Sequence, residues 1–347
     1  MPHPAFVHLR LHSEYSVIDG IVRIDDAVRA ARDDGMGALA ITDQANLFGM
    51  VKFYRAARAA GVKPIVGADV LVTDEIERDK PSRLLLLCRT RQGYHNLCSL
   101  LSRAWLGNQH RGRAEIRREW LAAGLAEGLV ALSGALAGDV GAALAQDNLP
   151  AAARLAAEWA KVFPGAYYLE LQRAGHPGAE AYVGRAVALA GRLGLPVVAT
   201  HPVQFLRPAD YAAHEARTCI SEGYVLSDQR RPRAFTEAQY FKSQAEMAAL
   251  FADLPEALAN AVEIAKRCNL ALELGKSKLP DFPTPAGVSL DAYLLRLAGE
   301  GLTRRLAALY PDPAARAAAE PRYRERLAFE AQTISQMGFP GYFLIVA

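Results

Sequence analysis

Three polar side chains alternate along the first apolar segment of the sequence: His8, Arg10 and His12. If this segment is a strand, the alternation places all three side chains on one face. Imidazole rings can bind a metal ion or transfer a proton near neutral pH. The fixed charge of Arg10 between them repels a cation, so the triplet indicates a polar site more strongly than a working metal centre.

Further polar residues stand at the carboxyl ends of the predicted strands, which in a parallel α/β barrel meet on one face and build the active site. They include two imidazoles and two carboxylates, which are possible metal ligands. These residues are His12, Asp43, Asp69, Ser133, Gln172 and His201. Structural interpretations remain open beside this one: Asp43 can accept backbone N–H groups at a turn, and His201, which precedes Pro202, can be a loop residue.

Short apolar runs alternate with amphipathic helical patterns over most of the chain. Strands are predicted at 6–11, 37–42, 63–72, 83–88, 129–133, 167–172 and 196–200, and helices at 48–60, 94–106, 151–163 and 178–193. Strands separated by helices indicate parallel βαβ units, and their number favours a barrel as much as an open sheet. The predicted fold class is α/β. Neither a G-x-G-x-x-G nor a G-x-x-x-x-G-K-[ST] motif occurs, which argues against dinucleotide and P-loop folds.

The composition is that of an ordinary globular protein: among 347 residues, 51% are hydrophobic and 22% are charged. Lysines and arginines number 40 and acidic residues 37, so the net charge of +3 creates no strong field for nucleic acid. No apolar run approaches the ~20 residues of a membrane span, and no signal peptide is recognisable. The four cysteines are far apart, without a disulfide framework. We expect a soluble, cytoplasmic protein with no membrane partner.

The pattern changes after Cys268, where prolines and a glycine are concentrated over residues 271–288. This composition predicts a linker or crossing segment. Ser289 is a candidate N-cap for a helix that runs to about Tyr310, and a second helix is predicted at 321–337. The chain ends in the apolar run GYFLIVA, interpreted as a strand or the beginning of a buried helix. An end of this kind predicts that the sequence was cut inside a second domain.

Five ordered motifs resemble the polymerase-and-histidinol-phosphatase (PHP) domain: HLRLHSEYSVIDG (8–20), ITDQANLFG (41–49), KPIVGADV (63–70), LSGALAGDV (132–140) and VVATHPVQF (197–205). More narrowly, they are similar to the PHP domain that opens the α subunit of bacterial DNA polymerase III. LPDFPT (279–284) and QMGFPGYFLIV (336–346) resemble the start of the palm of that subunit. The resemblance implies a distorted (β/α)7 barrel at 1–270, a linker at 271–288 and the first part of a palm at 289–347.

In active PHP domains, nine positions supply the ligands of a metal cluster. By resemblance, these positions fall on Arg10, His12, Asp19, Gln44, Asp69, Arg83, Ala135, Pro202 and Gln204. Only His12, Asp19 and Asp69 could still bind a metal, so the resemblance implies a degraded site without a bound metal. One weakly bound cation at these three residues remains an alternative. We expect Arg10 and Arg83 to pair with the remaining carboxylates and replace the lost cation.

The resemblance implies DNA-templated DNA synthesis by the longer protein, with Mg²⁺ held by aspartates that lie beyond Ala347. It therefore implies no catalytic residue, no cofactor and no polymerase activity for this chain alone. The implied role of the chain is a structural and docking domain for the ε proofreading exonuclease subunit. Other replicase subunits and DNA would be bound through the full-length protein. A metal-dependent phosphoesterase or 3′–5′ exonuclease is the alternative, which the missing ligands disfavour.

Two basic stretches stand apart from these motifs. They consist of Arg111, Arg113, Arg117 and Arg118, and of Arg230, Arg231 and Arg233. Short runs of charge are usually solvated loops, but contact with DNA phosphates or with an acidic partner is the functional alternative. Neither stretch is interleaved with aromatic residues, which argues against a platform for stacking single-stranded bases.

Overall fold

A mixed sheet is the framework of the first part of the chain. Its strands are β1 (Ala38–Ile41), β2 (Lys63–Val72), β3 (Ser82–Cys88), β4 (Gln109–His110), β5 (Arg113–Ile116), β6 (Leu129–Leu132), β7 (Tyr167–Gln172) and β8 (Val197–Thr200). The strand order is β4-β5-β2-β3-β6-β7-β8, and β1 also pairs with β2. The computed structural model describes residues 5–73, 76–276 and 280–347. The chain divides into two units, Met1–Ala271 and Leu272–Ala347.

The alternation of strands and helices predicts a parallel sheet, but the observed sheet is mixed. β3 runs antiparallel to both β2 and β6, whereas β1–β2, β6–β7 and β7–β8 are parallel pairs. The described part of the connection between β2 and β3, residues 73 and 76–81, contains no helix, and a chain that turns back directly pairs antiparallel. The other predicted strands from 37 onward lie within one residue of the observed bounds.

The N-terminal segment, predicted as a strand at 6–11, is extended but forms only isolated bridges within the described residues. On one side, Ala40 N donates to His8 O (2.9 Å) and Thr42 N donates to Leu11 O (3.0 Å). On the other side, His12 N donates to Val203 O (3.0 Å), just beyond β8. The Thr42 hydroxyl accepts from Leu11 N (2.9 Å) in place of a carbonyl, which interrupts the regular ladder. The segment thereby closes the sheet into a distorted barrel.

Amphipathic helices cover the barrel. They are α1 (Ile24–Asp33), α2 (Met50–Ala59), α3 (Arg91–Gly107), α4 (Arg118–Trp120), α5 (Asp139–Ala145), α6 (Leu149–Val162), α7 (Ala179–Leu193), α8 (Tyr211–Glu222), α9 (Gln244–Leu250) and α10 (Pro255–Arg267). The four predicted helices of this region are confirmed as α2, α3, α6 and α7. In α1, which was not predicted, the buried residues Ile24, Ala27, Val28 and Ala31 follow helical spacing, so one face packs on the sheet.

The second unit is helical, with α11 (Leu290–Leu309), α12 (Pro313–Gln336) and α13 (Pro340–Val346). The Ser289 hydroxyl caps α11 by accepting from Ala292 N (3.2 Å), as predicted. The prediction that the next helix begins at 321 is wrong, because Asp312 caps a helix that already starts at Pro313 and contains Pro321. The apolar end of the chain is helical. Residues 277–279 of the predicted linker lie outside the described residues, and the linker and palm assignments stay predictions.

No helix among the residues that the structure describes is both long and apolar enough to cross a membrane.

Candidate functional site

Arg10 projects from the N-terminal segment into the barrel and joins two distant strands. Its Nε and Nη2 donate to the two carboxylate oxygens of Glu170 on β7, at 2.9 and 3.0 Å. Its Nη1 donates to Asp69 Oδ2 on β2. All three side chains are almost completely buried. This is the paired geometry in which a guanidinium binds a carboxylate most strongly.

Asp69 is the centre of the cluster. Besides Arg10, its Oδ2 accepts from Arg83 Nη1 on β3 (2.7 Å) and lies 3.2 Å from His12 Nε2. Burial alone would raise the pKa of Asp69, but the charges of Arg10 and Arg83 outweigh it and hold the pKa well below the usual range. The predicted pairing of both arginines with a remaining carboxylate is therefore present.

His12 connects Asp69 to Asp19. Its Nδ1 lies 2.8 Å from Asp19 Oδ2, and Ser16 Oγ donates to the other oxygen of Asp19 (2.7 Å). Burial opposes a charged imidazole, yet the carboxylates raise the pKa of His12 to about 9. Burial likewise opposes the Asp19 carboxylate, but His12 lowers the pKa of Asp19 to about 2. At neutral pH His12 is protonated and donates from both ring nitrogens.

Glu170 is the member of the site that the sequence analysis missed. It is fully buried and accepts from Thr200 Oγ1 (2.5 Å), Gln172 Nε2 (2.9 Å) and Gly134 N (3.0 Å), as well as from Arg10. The sequence could have indicated Glu170 as a site residue, because it is a carboxylate in the middle of the apolar run YYLELQ. Since residues two apart share a strand face, Glu170 lies on the same side as Gln172, which was identified.

These six side chains form what we call the ion-pair cluster: Arg10, His12, Asp19, Asp69, Arg83 and Glu170. Two guanidinium groups and a protonated imidazole balance three carboxylates, so the cluster is electrically neutral. Asp69 and Glu170 accept from guanidinium groups, and Asp19 accepts from the His12 imidazole. The pairing lowers the pKa of Asp19 and of Asp69, which makes both carboxylates weaker general bases.

The remaining predicted positions lie around the cluster. Arg83 Nη2 donates to Gln44 Oε1 (3.4 Å), and Gln204 Nε2 donates to Asp19 Oδ2 (3.4 Å). Ala135 and Pro202 line a cavity of about 450 Å³ together with Arg10, His12, Asp69, Arg83 and Gln204. The structure therefore brings together all nine positions that the PHP resemblance indicated.

Some polar residues of the predicted strand-end ring serve other purposes. Asp43 accepts from Ser13 N (2.6 Å) and Ser13 Oγ (2.9 Å) and fixes a turn. Burial raises the pKa of Asp43 to about 6 against these hydrogen bonds. His201 instead contacts Ala238 O through Nε2 (2.8 Å), and its ring lies 6.2 Å from that of His8. Ser133 Oγ accepts from Glu170 N (2.9 Å) and so supports the cluster indirectly.

A PHP-type metal does not fit this donor set. Asp69 Oδ2, the oxygen nearest His12, already binds two guanidinium groups, and a cation placed there would meet their fixed charge. Alanine, proline and arginine at Ala135, Pro202 and Arg10 supply no ligand. In the parts of the chain that the structure describes, no three His, Cys, Asp or Glu side chains are grouped to hold a metal ion.

The two arginine stretches are largely paired within the protein. Arg118 donates to Asp139 and to Glu158 (2.8 Å) and lies 4.2 Å from the Trp159 ring. Further contacts join Arg111 to Asp79, Arg113 to Glu115, Arg117 to Asn108, Arg230 to Asp228 and Arg231 to Glu215. Arg233 is exposed. These pairs reduce the positive charge available to a phosphate, and contact with DNA or a partner stays a prediction.

Comparison with known proteins shows what the sequence is similar to. Residues 8–174 match the PHP domain. The chain is 53% identical to DNA polymerase III subunit alpha of Neisseria meningitidis serogroup B (strain MC58), over 100% of the chain and 30% of that protein. It is 49% identical to DNA polymerase III subunit alpha of Escherichia coli (strain K12), with the same two coverages. The chain thus spans about 30% of the length of these relatives.

Among solved structures, a putative metal-dependent phosphoesterase from Bifidobacterium adolescentis is 15% identical, with a TM-score of 0.31, over 56% of this chain and 86% of that one. This similarity is too weak to support an argument. The similarity in sequence to the PHP domain and to the α subunits does not depend on this solved structure. Residues 8–174 are thus similar to a PHP domain, and the whole chain is similar to the N-terminal region of DNA polymerase III α subunits.

Proposed function

We propose that this chain is the N-terminal part of the catalytic α subunit of a bacterial chromosomal replicase. The observation that carries the proposal is identity near 50% along the entire chain to DNA polymerase III α subunits. The longer protein would be a DNA-directed DNA polymerase, a nucleotidyltransferase of the cytoplasm. Its Mg²⁺ ions would be held by carboxylates that this chain does not include, and residues 289–347 would begin the palm.

Within that protein, the PHP domain acts as a metal-depleted structural and docking domain. The Arg10 guanidinium between Asp69 and Glu170 supports this role, because it supplies internally the positive charge that a metal would bring. In this proposal, the ion-pair cluster fills the part of the barrel interior where a metal centre would lie. Its proposed partner is the ε proofreading exonuclease, since a replicase needs an editing nuclease that this domain does not provide. Other replicase subunits and DNA are bound through the full-length protein.

Primer extension tests the polymerase part of the proposal. Residues 1–347 with Mg²⁺ and all four nucleotides should extend no primer, and a longer protein that includes the complete palm should extend it. Extension by residues 1–347, in a preparation free of contaminating polymerase, would contradict the proposed location of the catalytic carboxylates.

A metal-dependent phosphoesterase or 3′–5′ exonuclease is the second candidate. The observation in its favour is that His12 contacts both Asp19 and Asp69, and that His12 and Asp69 line a cavity of about 450 Å³. Elemental analysis after dialysis, together with hydrolysis of a phosphodiester, separates the two candidates. We expect less than about one tightly bound Zn²⁺, Mn²⁺ or Fe per chain, because a stable centre needs about four ligands. Two or three metals per chain with hydrolysis would establish the second candidate.

A further inference from the structure

Several large apolar side chains of the first unit are exposed although the segments that carry them are well ordered by hydrogen bonds. Leu106 is 89% exposed, Ile220 75% and Phe48 69%. With Val17, Val51 and Trp105 they form what we call the exposed apolar surface. Isolated exposed apolar residues are common, but a group of this size on neighbouring segments marks an interaction site.

Hydrogen bonds show that these segments are neighbours. Asn46 Nδ2, beside Phe48, donates to Tyr15 O (3.0 Å), two residues before Val17. Trp105 Nε1 donates to Ala45 O (2.8 Å), which brings the end of α3 to the same loop. On the far side of the 14–20 loop, His214 Nε2 on α8 contacts Asp19 O (2.8 Å). The exposed apolar surface therefore surrounds two adjoining loops.

The loops are fixed before any partner arrives. Phe48 N donates to Asn46 Oδ1 (3.1 Å), which sets the turn that leads into α2. Lys52 binds Glu14 (3.1 Å) and ties α2 to the 14–20 loop. A preformed surface loses little conformational entropy on binding, so its apolar area is available for affinity.

Charge at the margin indicates what kind of partner fits. Arg55 and Arg103 are exposed and stand one helical turn from Val51 and Leu106. The nearby Glu14 already binds Lys52 and Arg23, so Arg55 and Arg103 make the margin basic on the side of α2 and α3, while Glu222 is exposed beside Ile220 on α8. An apolar centre with a basic margin complements large apolar side chains flanked by carboxylates. Nucleic acid would instead need positive charge along the whole path of the phosphates.

We propose that the exposed apolar surface docks a protein segment that carries large apolar side chains flanked by aspartates or glutamates. This inference rests on the proposed docking function and assigns that function to a surface. The partner is a protein, and the interface has an apolar centre with charge-complementary edges. The ion-pair cluster is not part of the interface, so binding does not depend on metal.

The test is calorimetric titration of the complete chain with the ε exonuclease from the same genome, with and without EDTA. The variant Phe48→Asp/Leu106→Asp introduces two charges into the apolar centre. The matched control, Leu149→Asp on α6, alters an exposed leucine outside the surface. We expect binding by the wild type and the control, and roughly 100-fold weaker binding by the double variant, because each hot-spot loss costs about tenfold.

The outcomes separate the two proposals. If the folded wild type does not bind at tens of micromolar, the docking function itself is wrong. If the wild type and the double variant bind equally well, docking stands but its assignment to this surface is overturned. If the double variant binds a single-stranded oligonucleotide more weakly than the wild type does, but binds the exonuclease equally well, the surface is a nucleic-acid site and the proposal is overturned. Thermal melts of each variant verify folding, and hydrogen exchange of the wild-type complex should show protection at 14–20, 44–55 and 100–107.

Discussion

His8 and His12 lie four residues apart on one segment and are both buried, yet the pKa values of their rings move in opposite directions. The carboxylates of Asp19 and Asp69 raise the pKa of His12 to about 9 despite burial. The ring of His8 instead packs against Phe6 and Phe241, its Nε2 contacts the Lys242 carbonyl (2.8 Å), and burial lowers its pKa to about 4. The same cost of desolvation therefore gives a cation at one position and a neutral ring at the other, and the neighbouring carboxylates decide which.

His201 extends the contrast. Its ring is adjacent to that of His8, and burial lowers its pKa to about 3. In this neutral histidine pair, His8 and His201, the Nε2 atoms contact backbone carbonyls, whereas the ion-pair cluster balances three cations with three carboxylates. In the ion-pair cluster, side chains of opposite charge match the buried charges, whereas the two histidines without such partners stay neutral.

The largest effect is expected from Arg10→Met. This substitution removes the paired contact of Glu170 and one cation of Asp69 and leaves buried carboxylates without their partner. Urea denaturation should show a loss of about 3–5 kcal/mol in the free energy of unfolding. In the double variant Arg10→Met/Glu170→Gln, the loss should be smaller than the sum of the two single losses. An unchanged urea midpoint for Arg10→Met would show that the cluster does not stabilise the barrel.

The next effect concerns alkaline pH. Because the folded pKa of His12 is about 9 and its ordinary value is 6.5, its contribution is fully present below pH 6.5 and is lost as the pH rises through 9. We expect the free energy of unfolding to fall by about 3 kcal/mol over this range, since each pKa unit corresponds to about 1.4 kcal/mol. His12→Asn should lack this part of the slope. Identical slopes in both proteins would contradict the protonated state of His12.

For the histidine pair, the free energy of unfolding should change with pH in the opposite direction. The unfolded chain takes up protons below pH 6.5, while folded His8 stays neutral until about pH 4, so stability falls on acidification. Between pH 6.5 and 5 we expect His8 to contribute a loss of about 2 kcal/mol. Urea denaturation of His8→Gln across this range should give a shallower slope than the wild type. An equally steep slope would show that His8 is not held neutral.

The smallest effects are expected in the two arginine stretches. Arg118→Ala removes two ion pairs and the contact with the Trp159 ring, and should lower the free energy of unfolding by about 1 kcal/mol. Arg230→Ala removes an exposed pair with Asp228 and should leave thermal stability unchanged. Fluorescence anisotropy with duplex DNA should show equal, weak binding for both variants and the wild type. A clear loss of affinity in either variant would favour the phosphate contact.

Periodicity and residue type were sufficient to predict many of the strands and helices and part of the candidate site. The apolar runs predicted β2 and β7 to the residue, because buried strands need continuous apolar side chains. The PHP resemblance led to the nine positions around the cavity, and the losses there led to the pairing of Arg10 and Arg83 with Asp69. These conclusions depend on residue type and local pattern, which a sequence displays directly.

Tertiary structure decided the rest. Arg10 and Glu170 are 160 residues apart, so only closure of the barrel makes them partners. The direction of β3 follows from its connection to β2, and Pro321 lies inside α12 because Asp312 caps a helix that already starts at Pro313. The sequence placed His8, Arg10 and His12 on one face, but their neighbours come from other segments. Those neighbours separate the neutral histidine from the charged one, because the charge of a buried group depends on what the fold brings within reach.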